Sequence, residues 1–256
     1  MDEKTLSSFK LKDVLTTQNY ESYTKEDHLV WGALFSKLYI YFMYKDATVT
    51  EFYEGLLKLK IGSDSIPKFD DINKILKEET GFKIVPVKGI VDDDVFFTLL
   101  KNRQFPVTTW LRKKEQLDYI EQPDMFHDLF GHVPFLVNKS YCDFLVRLGN
   151  HAEAIFNSND KERQYKMSRL YWYTIEFGLL RDTTKTMLIY GSGIISSFGE
   201  TNKVYELMNS KFTNDEIREF NIDVLDRKFI KSEFQEFYAY INGSLASLLD
   251  IPVESI

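Results

Sequence analysis

The sequence predicts one mostly α-helical domain with a few short strands. Three observations point there. Apolar residues return at helical spacing through most of the chain, the β-like runs are short, and no internal repeat, low-complexity tract or long linker divides the 256 residues. A chain of this length buries a sizeable core without disulfide or metal staples.

Each element follows from local chemistry. Residues 1–22 are polar and read as an irregular N-terminal arm before a domain covering 23–256. Asp27 suits an N-cap, and the run HLVWGALFSKLYIYFMY behind it sets Trp31, Leu34, Phe35, Leu38 and Phe42 at helical spacing. A second helix fits 50-TEFYEGLLKLKI-61. After a turn from Gly62 to Pro67, a third fits 70-DDINKILKEET-80 and ends before Gly81. Then 82-FKIVPV-87 reads as a strand, Asp92 to Lys101 as a helix and 106-PVTTWLR-112 as a second strand. Pro123 and Asp124 start a short helix over Met125 to Phe130, which Gly131 and Pro134 stop. Helices over 139-KSYCDFLVRLGNHAEAIF-156 and 166-KMSRLYWYTIEFGLL-180 flank a polar loop, 157-NSNDKER-163. A glycine- and serine-rich loop, 190-YGSGIISSFGE-200, leads to a helix over 201-TNKVYELMNS-210, and the tail over 227–251 mixes strand-like and helix-like patterns.

Composition narrows the function classes. Apolar residues at 44% and charged residues at 28% are those of a soluble globular protein, and the 21 Phe and 15 Tyr point first to an aromatic-packed core. A net charge of -7 with no basic stripe argues against a nucleic-acid partner. The single cysteine, Cys142, excludes an intramolecular disulfide and fits a reducing compartment. The N-terminus MDEKTLSSFKLKD lacks the apolar run of a signal peptide, and no stretch approaches the ~20 apolar residues of a membrane span. The expectation is a soluble, cytoplasmic protein with no membrane partner.

The chemistry concentrates in 119-YIEQPDMFHDLFGHVPFL-136, where His127 and His132 lie five positions apart. On an unbroken α-helix such positions point about 140° away from each other. If the helix ends at Gly131, the reversal swings His132 back toward His127. A lone histidine near a helix end is ordinarily a dipole partner; a pair beside a break, within apolar sequence, also fits a metal site. Glu176 stands in an apolar helix between Trp172, Tyr173, Leu179 and Leu180. A buried carboxylate there pairs with an arginine such as Arg181, stays protonated or binds a cation. Two histidines and a carboxylate with open positions make the facial triad of non-haem iron(II) enzymes, which this spacing suggests without excluding the other readings.

PDMFHDLFGHVP, YWYTIEFGL and YGSGIISSFGE, in this order and at these separations, resemble the pterin-dependent aromatic amino acid hydroxylases, in particular the short bacterial phenylalanine 4-hydroxylases. The resemblance runs from Tyr23 to Tyr238. It implies a mostly helical catalytic domain, basket-like, with small strands lining a cleft. It also implies Fe(II), a tetrahydropterin (tetrahydrobiopterin or a related pterin) and O2 as co-substrate, with L-phenylalanine hydroxylated to L-tyrosine. By the same resemblance His127, His132 and Glu176 are the iron ligands. Arg112, in TTWLR, grips the substrate carboxylate, and Asp124 orients that arginine. Pro123, Trp172 and Ser196 surround the substrate, with Ser197 and Glu200 in the adjoining loop. Gly89 and Val91 in 89-GIV-91, together with Phe96, Asp128 and Tyr171, match the pterin site.

The chain also departs from the family pattern. Asp128 stands where many members have Glu, one methylene longer, and Ile120 stands where animal enzymes have a Thr near the substrate carboxylate. Trp172 matches the residue of phenylalanine- and tyrosine-using members, whereas tryptophan-using members have Phe, so a smaller ring is favoured. Neither the regulatory domain nor the tetramerising helix of the family is found, which gives a monomer as the expectation. Three alternatives stand beside the main reading. One is hydroxylation of tryptophan or tyrosine by the same mechanism. The others are a zinc hydrolase using Asp128 in place of a missing HExxH glutamate, and a non-catalytic metal- or amino-acid-binding protein.

Overall fold

Capping chemistry sets where the expected helices begin. A computed structural model of the chain describes residues 11–117, 120, 122–158, 160–229 and 234–256. Helix α1 (Lys25–Lys45) starts before the expected point, because Thr24 is the N-cap and Asp27 closes a reciprocal capping box from inside the first turn. Helices α2 (Thr50–Lys58) and α3 (Phe69–Glu79) follow, and Gly81, at φ 72°, turns the chain after α3 as expected. Strand β1 (Lys83–Val87), helix α4 (Asp93–Lys101) and strand β2 (Gln104–Thr108) form a βαβ unit, paired in parallel from Lys83↔Gln104 to Val87↔Thr108. Helix α4 packs on the long helix α5 (Lys139–Phe156). Their approach needs Gly149, where a Cβ would lie 2.6 Å from the Phe97 carbonyl oxygen.

Residues 1–10 of the expected arm lie outside the described residues. The part that follows runs along β1, with the Thr16 N–H donating to the Pro86 carbonyl and the Lys88 N–H donating to Val14. Gln18 ties it further, donating to the Pro67 carbonyl and accepting from the Phe69 N–H.

The second half departs from the expectation. The apolar helix expected through Leu180 is helix α6 (Lys161–Tyr171), a widened turn at Trp172–Glu176 and then strand β3 (Leu179–Arg181). A continuous apolar run does not distinguish a buried helix from a buried strand, and here the end of the run pairs with distant chain. Strands β4 (Met187–Ile189), β5 (Ile217–Glu219) and β6 (Tyr238–Asn242) complete a sheet in the order β4-β3-β6-β5, with β3–β4 antiparallel and the other pairs parallel. Inside the expected glycine- and serine-rich loop lies a short helix, α7 (Ser192–Ile195). Helix α8 (Phe198–Met208) then starts ahead of Thr201, capped by the Ser197 hydroxyl.

The core is built of rings, as the composition implied. Trp31, Phe52, Phe126, Phe130, Phe135 and Tyr141 are fully buried. Phe126 and Phe130 stack at 4.8 Å, with the edge of Trp31 5.3 Å from Phe126. These rings clamp the segment that carries the two histidines. Among the described residues no helix is long and apolar enough to cross a membrane.

Candidate active site

The helix carrying the histidines does not stop at Gly131. It widens into a turn of π-helix, His127–His132, whose end is marked by the Val133 N–H bonding back to the Asp128 carbonyl. Hydrogen bonds of this i→i+5 kind bring residues five apart onto one face, and such turns concentrate at functional sites. The sequence expectation of a reversal at a left-handed Gly131 is therefore corrected, since Gly131 does not take a positive φ. Its side must be bare for another reason: a Cβ would stand 2.7 Å from the Ser192 carbonyl oxygen on α7. Pro134 sits in the first turn of a 3-10 helix, Val133–Val137, where its missing N–H leaves no bond unmade. A second π turn, Trp172–Glu176, closes with the Phe177 N–H on the Trp172 carbonyl at 2.9 Å.

The two π turns face each other and bring His127, His132 and Glu176 together, with one ligand atom from each within 4.8 Å of the others. The two Nε2 atoms are 3.1 Å apart, Glu176 Oε1 is 3.4 Å from His127 and Oε2 is 3.1 Å from His132. Burial holds the His127 imidazole down at about 4, against the opposing charge of Glu176, so it is neutral at physiological pH. Its tautomer follows from counting hydrogens. Ser196 Oγ donates its one hydrogen to the Ser192 carbonyl at 2.8 Å, so at 2.8 Å from His127 Nδ1 it accepts. His127 thus carries its proton on Nδ1 and presents a bare Nε2 to His132 and Glu176, as a metal ligand must. Gly193 leaves room for the carboxylate: a Cβ there would come within 2.6 Å of Glu176 Oε1. This donor set fits a divalent transition metal with one open face.

A cleft of about 360 Å³ opens in front of the triad, and every expected site residue except Asp124 lines it. Asp124 lies behind, fully buried. It takes Arg112 in a two-pronged grip, Nε to Oδ2 and Nη2 to Oδ1 at 2.9 Å each, and accepts the Arg112 and His127 N–H groups. Pro123, Ile120 and Trp172 line the cleft together with Arg112. Phe96 meets Tyr171 edge-on at 4.9 Å, and both line the cleft, as do Gly89 and Val91. Asp128 Oδ2 accepts the Thr108 N–H at 2.7 Å and its hydroxyl at 3.0 Å, and burial pushes this carboxyl up to about 7.

Several participants had no sequence signal. Thr108 was read only as a strand residue, and Ser168, hydrogen-bonded to Asp93 across the cleft, matched no motif. Glu200 is a structural support, accepting the Gln235 N–H at 3.1 Å and facing the Tyr238 hydroxyl at 2.5 Å. Burial raises its carboxyl above the ordinary range, with those two bonds opposing. Gln235 reaches the cleft wall from the tail, which no local pattern shows.

Comparisons with known proteins agree with this geometry. Over 194 residues the chain is 42% identical to a phenylalanine-4-hydroxylase of Chromobacterium violaceum, covering 76% of this chain and 63% of that protein. Over 195 residues it is 40% identical to one of Ralstonia nicotianae, covering 76% and 60%. The matched part thus spans less than two thirds of either relative. A crystal structure of the Chromobacterium violaceum enzyme with bound iron(III) and 7,8-dihydrobiopterin superposes with a TM-score of 0.80 at 35% identity, covering 96% of this chain and 88% of that one. Residues 5–250 match the family described as biopterin-dependent aromatic amino acid hydroxylase, and the chain belongs to that family.

Proposed function

We propose that the chain is an iron(II)- and tetrahydropterin-dependent monooxygenase that hydroxylates L-phenylalanine to L-tyrosine with O2. One observation carries the reading: His127, His132 and Glu176 converge on one face of a cleft that also holds Arg112 and Trp172. The relatives named above and the bound groups of the solved structure support it.

Iron and reduced pterin, when bound, supply the electrons and the activation of O2; the side chains supply placement. Arg112, held by Asp124, takes the substrate carboxylate and fixes the direction in which the ring points. Trp172 bounds the ring, while Phe96 and Tyr171 offer faces and edges for the flat pterin. Ser196 keeps His127 in the ligating tautomer. A hydrolase would need a carboxylate free to serve as general base, and Asp128 is engaged by Thr108. The same reading has the enzyme working as a cytoplasmic monomer, and light scattering at assay concentration tests the second point.

The test is an assay of iron-reconstituted protein with tetrahydropterin and O2. Ring-labelled phenylalanine, tyrosine and tryptophan compete in equal amounts, and products are separated by chromatography. Labelled tyrosine as the dominant product, lost in His127→Ala and Glu176→Ala, is the expected outcome. Only 5-hydroxytryptophan or dihydroxyphenylalanine would overturn the substrate choice. No product with iron bound would overturn the enzyme.

A further inference from the structure

We infer that Gln235 holds the Trp172 indole rigid and thereby keeps two-ring amino acids out of the cleft, a role that rests on the hydroxylase reading above. The indole is held on three sides. Phe229 stacks on it with centroids 4.1 Å apart and planes at 15°, and Phe177 lies at 4.8 Å and 39°. Its one polar atom, Nε1–H, donates to Gln235 Oε1 at 2.9 Å.

Gln235 is itself buried, at 5% exposure. Its N–H donates to Glu200 at 3.1 Å, and its carbonyl accepts from Lys203 Nζ at 2.7 Å and lies 2.9 Å from the Tyr238 hydroxyl oxygen, whose hydrogen goes to Glu200. Tyr238 opens β6, so the grip runs from the cleft wall through Gln235 into the sheet.

Admitting a second fused ring requires the indole to tilt or retreat. That motion breaks its bond to Gln235, strands a carboxamide oxygen in a buried place and disrupts the Phe229 stack. A single-ring substrate asks for no such motion. Gln235 is therefore a positioning residue for specificity that acts through Trp172 and need not touch substrate.

Gln235→Met keeps the side-chain length and removes the acceptor. In metal-free protein with ¹⁵N-labelled tryptophan, the Trp172 indole N–H, assigned with Trp172→Phe, should be protected from hydrogen exchange. The Gln235→Met change should speed that exchange at least 10-fold, roughly the value of one buried hydrogen bond. The Trp31 N–H, bonded to Gly62 at 2.8 Å, should be unmoved. In the loaded enzyme the ratio of kcat/KM for phenylalanine over tryptophan should fall about 10-fold through faster use of tryptophan. The fall should vanish when Gln235→Met is placed in a Trp172→Phe background. An unchanged ratio overturns the proposal, as does a fall that persists without the indole. So does a wild-type Trp172 N–H that exchanges like a free indole, a result that needs no variant to fold. A wild-type protein inactive on all three amino acids would instead sink the hydroxylase reading, and the exchange data would still decide whether Gln235 anchors the indole.

Discussion

The Arg112–Asp124 pair is nearly dry, its side chains 4% and 0% exposed, and it is joined by two parallel hydrogen bonds. Attraction in such a place roughly offsets desolvation, so what the pair contributes is a fixed guanidinium rather than stability. Removing one partner is costly. Asp124→Ala strands the guanidinium and takes the acceptor from the Arg112 and His127 N–H groups. A loss of about 3–5 kcal/mol is expected in urea unfolding of the metal-free protein; a loss under about 1 kcal/mol would mean the pair is hydrated in solution. Ser196→Ala removes the acceptor at His127 Nδ1 together with the bond to the Ser192 carbonyl. With no acceptor at Nδ1, His127 loses its tautomer bias, and metal affinity measured by competition with a chelator should fall about 10–100-fold. An unchanged affinity would show that Ser196 does not set the tautomer.

Bare Gly131 lets α7 come close against the π turn. In Gly131→Ala the new Cβ meets the backbone of Ser192 at 2.7 Å, and neither partner is a flexible side chain. The expected result is a loss of roughly 3 kcal/mol together with weakened metal binding, because the turn that aligns His127 and His132 must shift. Gly149→Ala is the control. Its Cβ meets α4 backbone at Lys101 and Phe97, 2.4 and 2.6 Å away, and neither π turn, so it should destabilise the fold yet leave metal affinity of the folded protein unchanged. If the two variants bind metal equally well, the π turn is not what aligns the ligands. At this scale the sequence was legible in part. Helix α5 is found with the bounds expected, since its apolar spacing is unambiguous. His127, His132 and Glu176 were readable as a triad by type and by family motif. The two imidazoles were expected to converge through a reversal at Gly131; the π turn that aligns them was not legible, because apolar periodicity does not tell i+4 from i+5 bonding. Strands β3, β4 and β5 are three residues each, too short for alternation to register, and their partners lie far along the chain.

Across the whole molecule, one aromatic core joins the first helices, the histidine segment and α5. Cys142 reports on whether that core is shut. It is fully buried at the start of α5, its Sγ–H donating to the Leu136 carbonyl at 3.2 Å, and burial pushes the thiol from its ordinary 9.0 up to about 12. The sign of the pH effect follows. Below pH 9 the thiol is protonated in both folded and unfolded chains, and its contribution to stability is fully present. Above that the unfolded chain ionises while the folded one holds its proton, so stability declines by up to about 1.4 kcal/mol per pH unit until the folded thiol titrates near 12. Buried Tyr141 and Tyr190 and half-buried Tyr171, raised by the same desolvation, add a decline of the same sign. The informative quantity is therefore a difference. Urea unfolding of wild type and Cys142→Ala across the alkaline range should give a steeper fall for the wild type, by most of that per-unit amount. Thiol reagents at neutral pH should label the native protein only as fast as it unfolds. Parallel slopes, or rapid labelling under native conditions, would mean that the core opens around α5 without global unfolding, and that the histidine segment packed on it is loose as well.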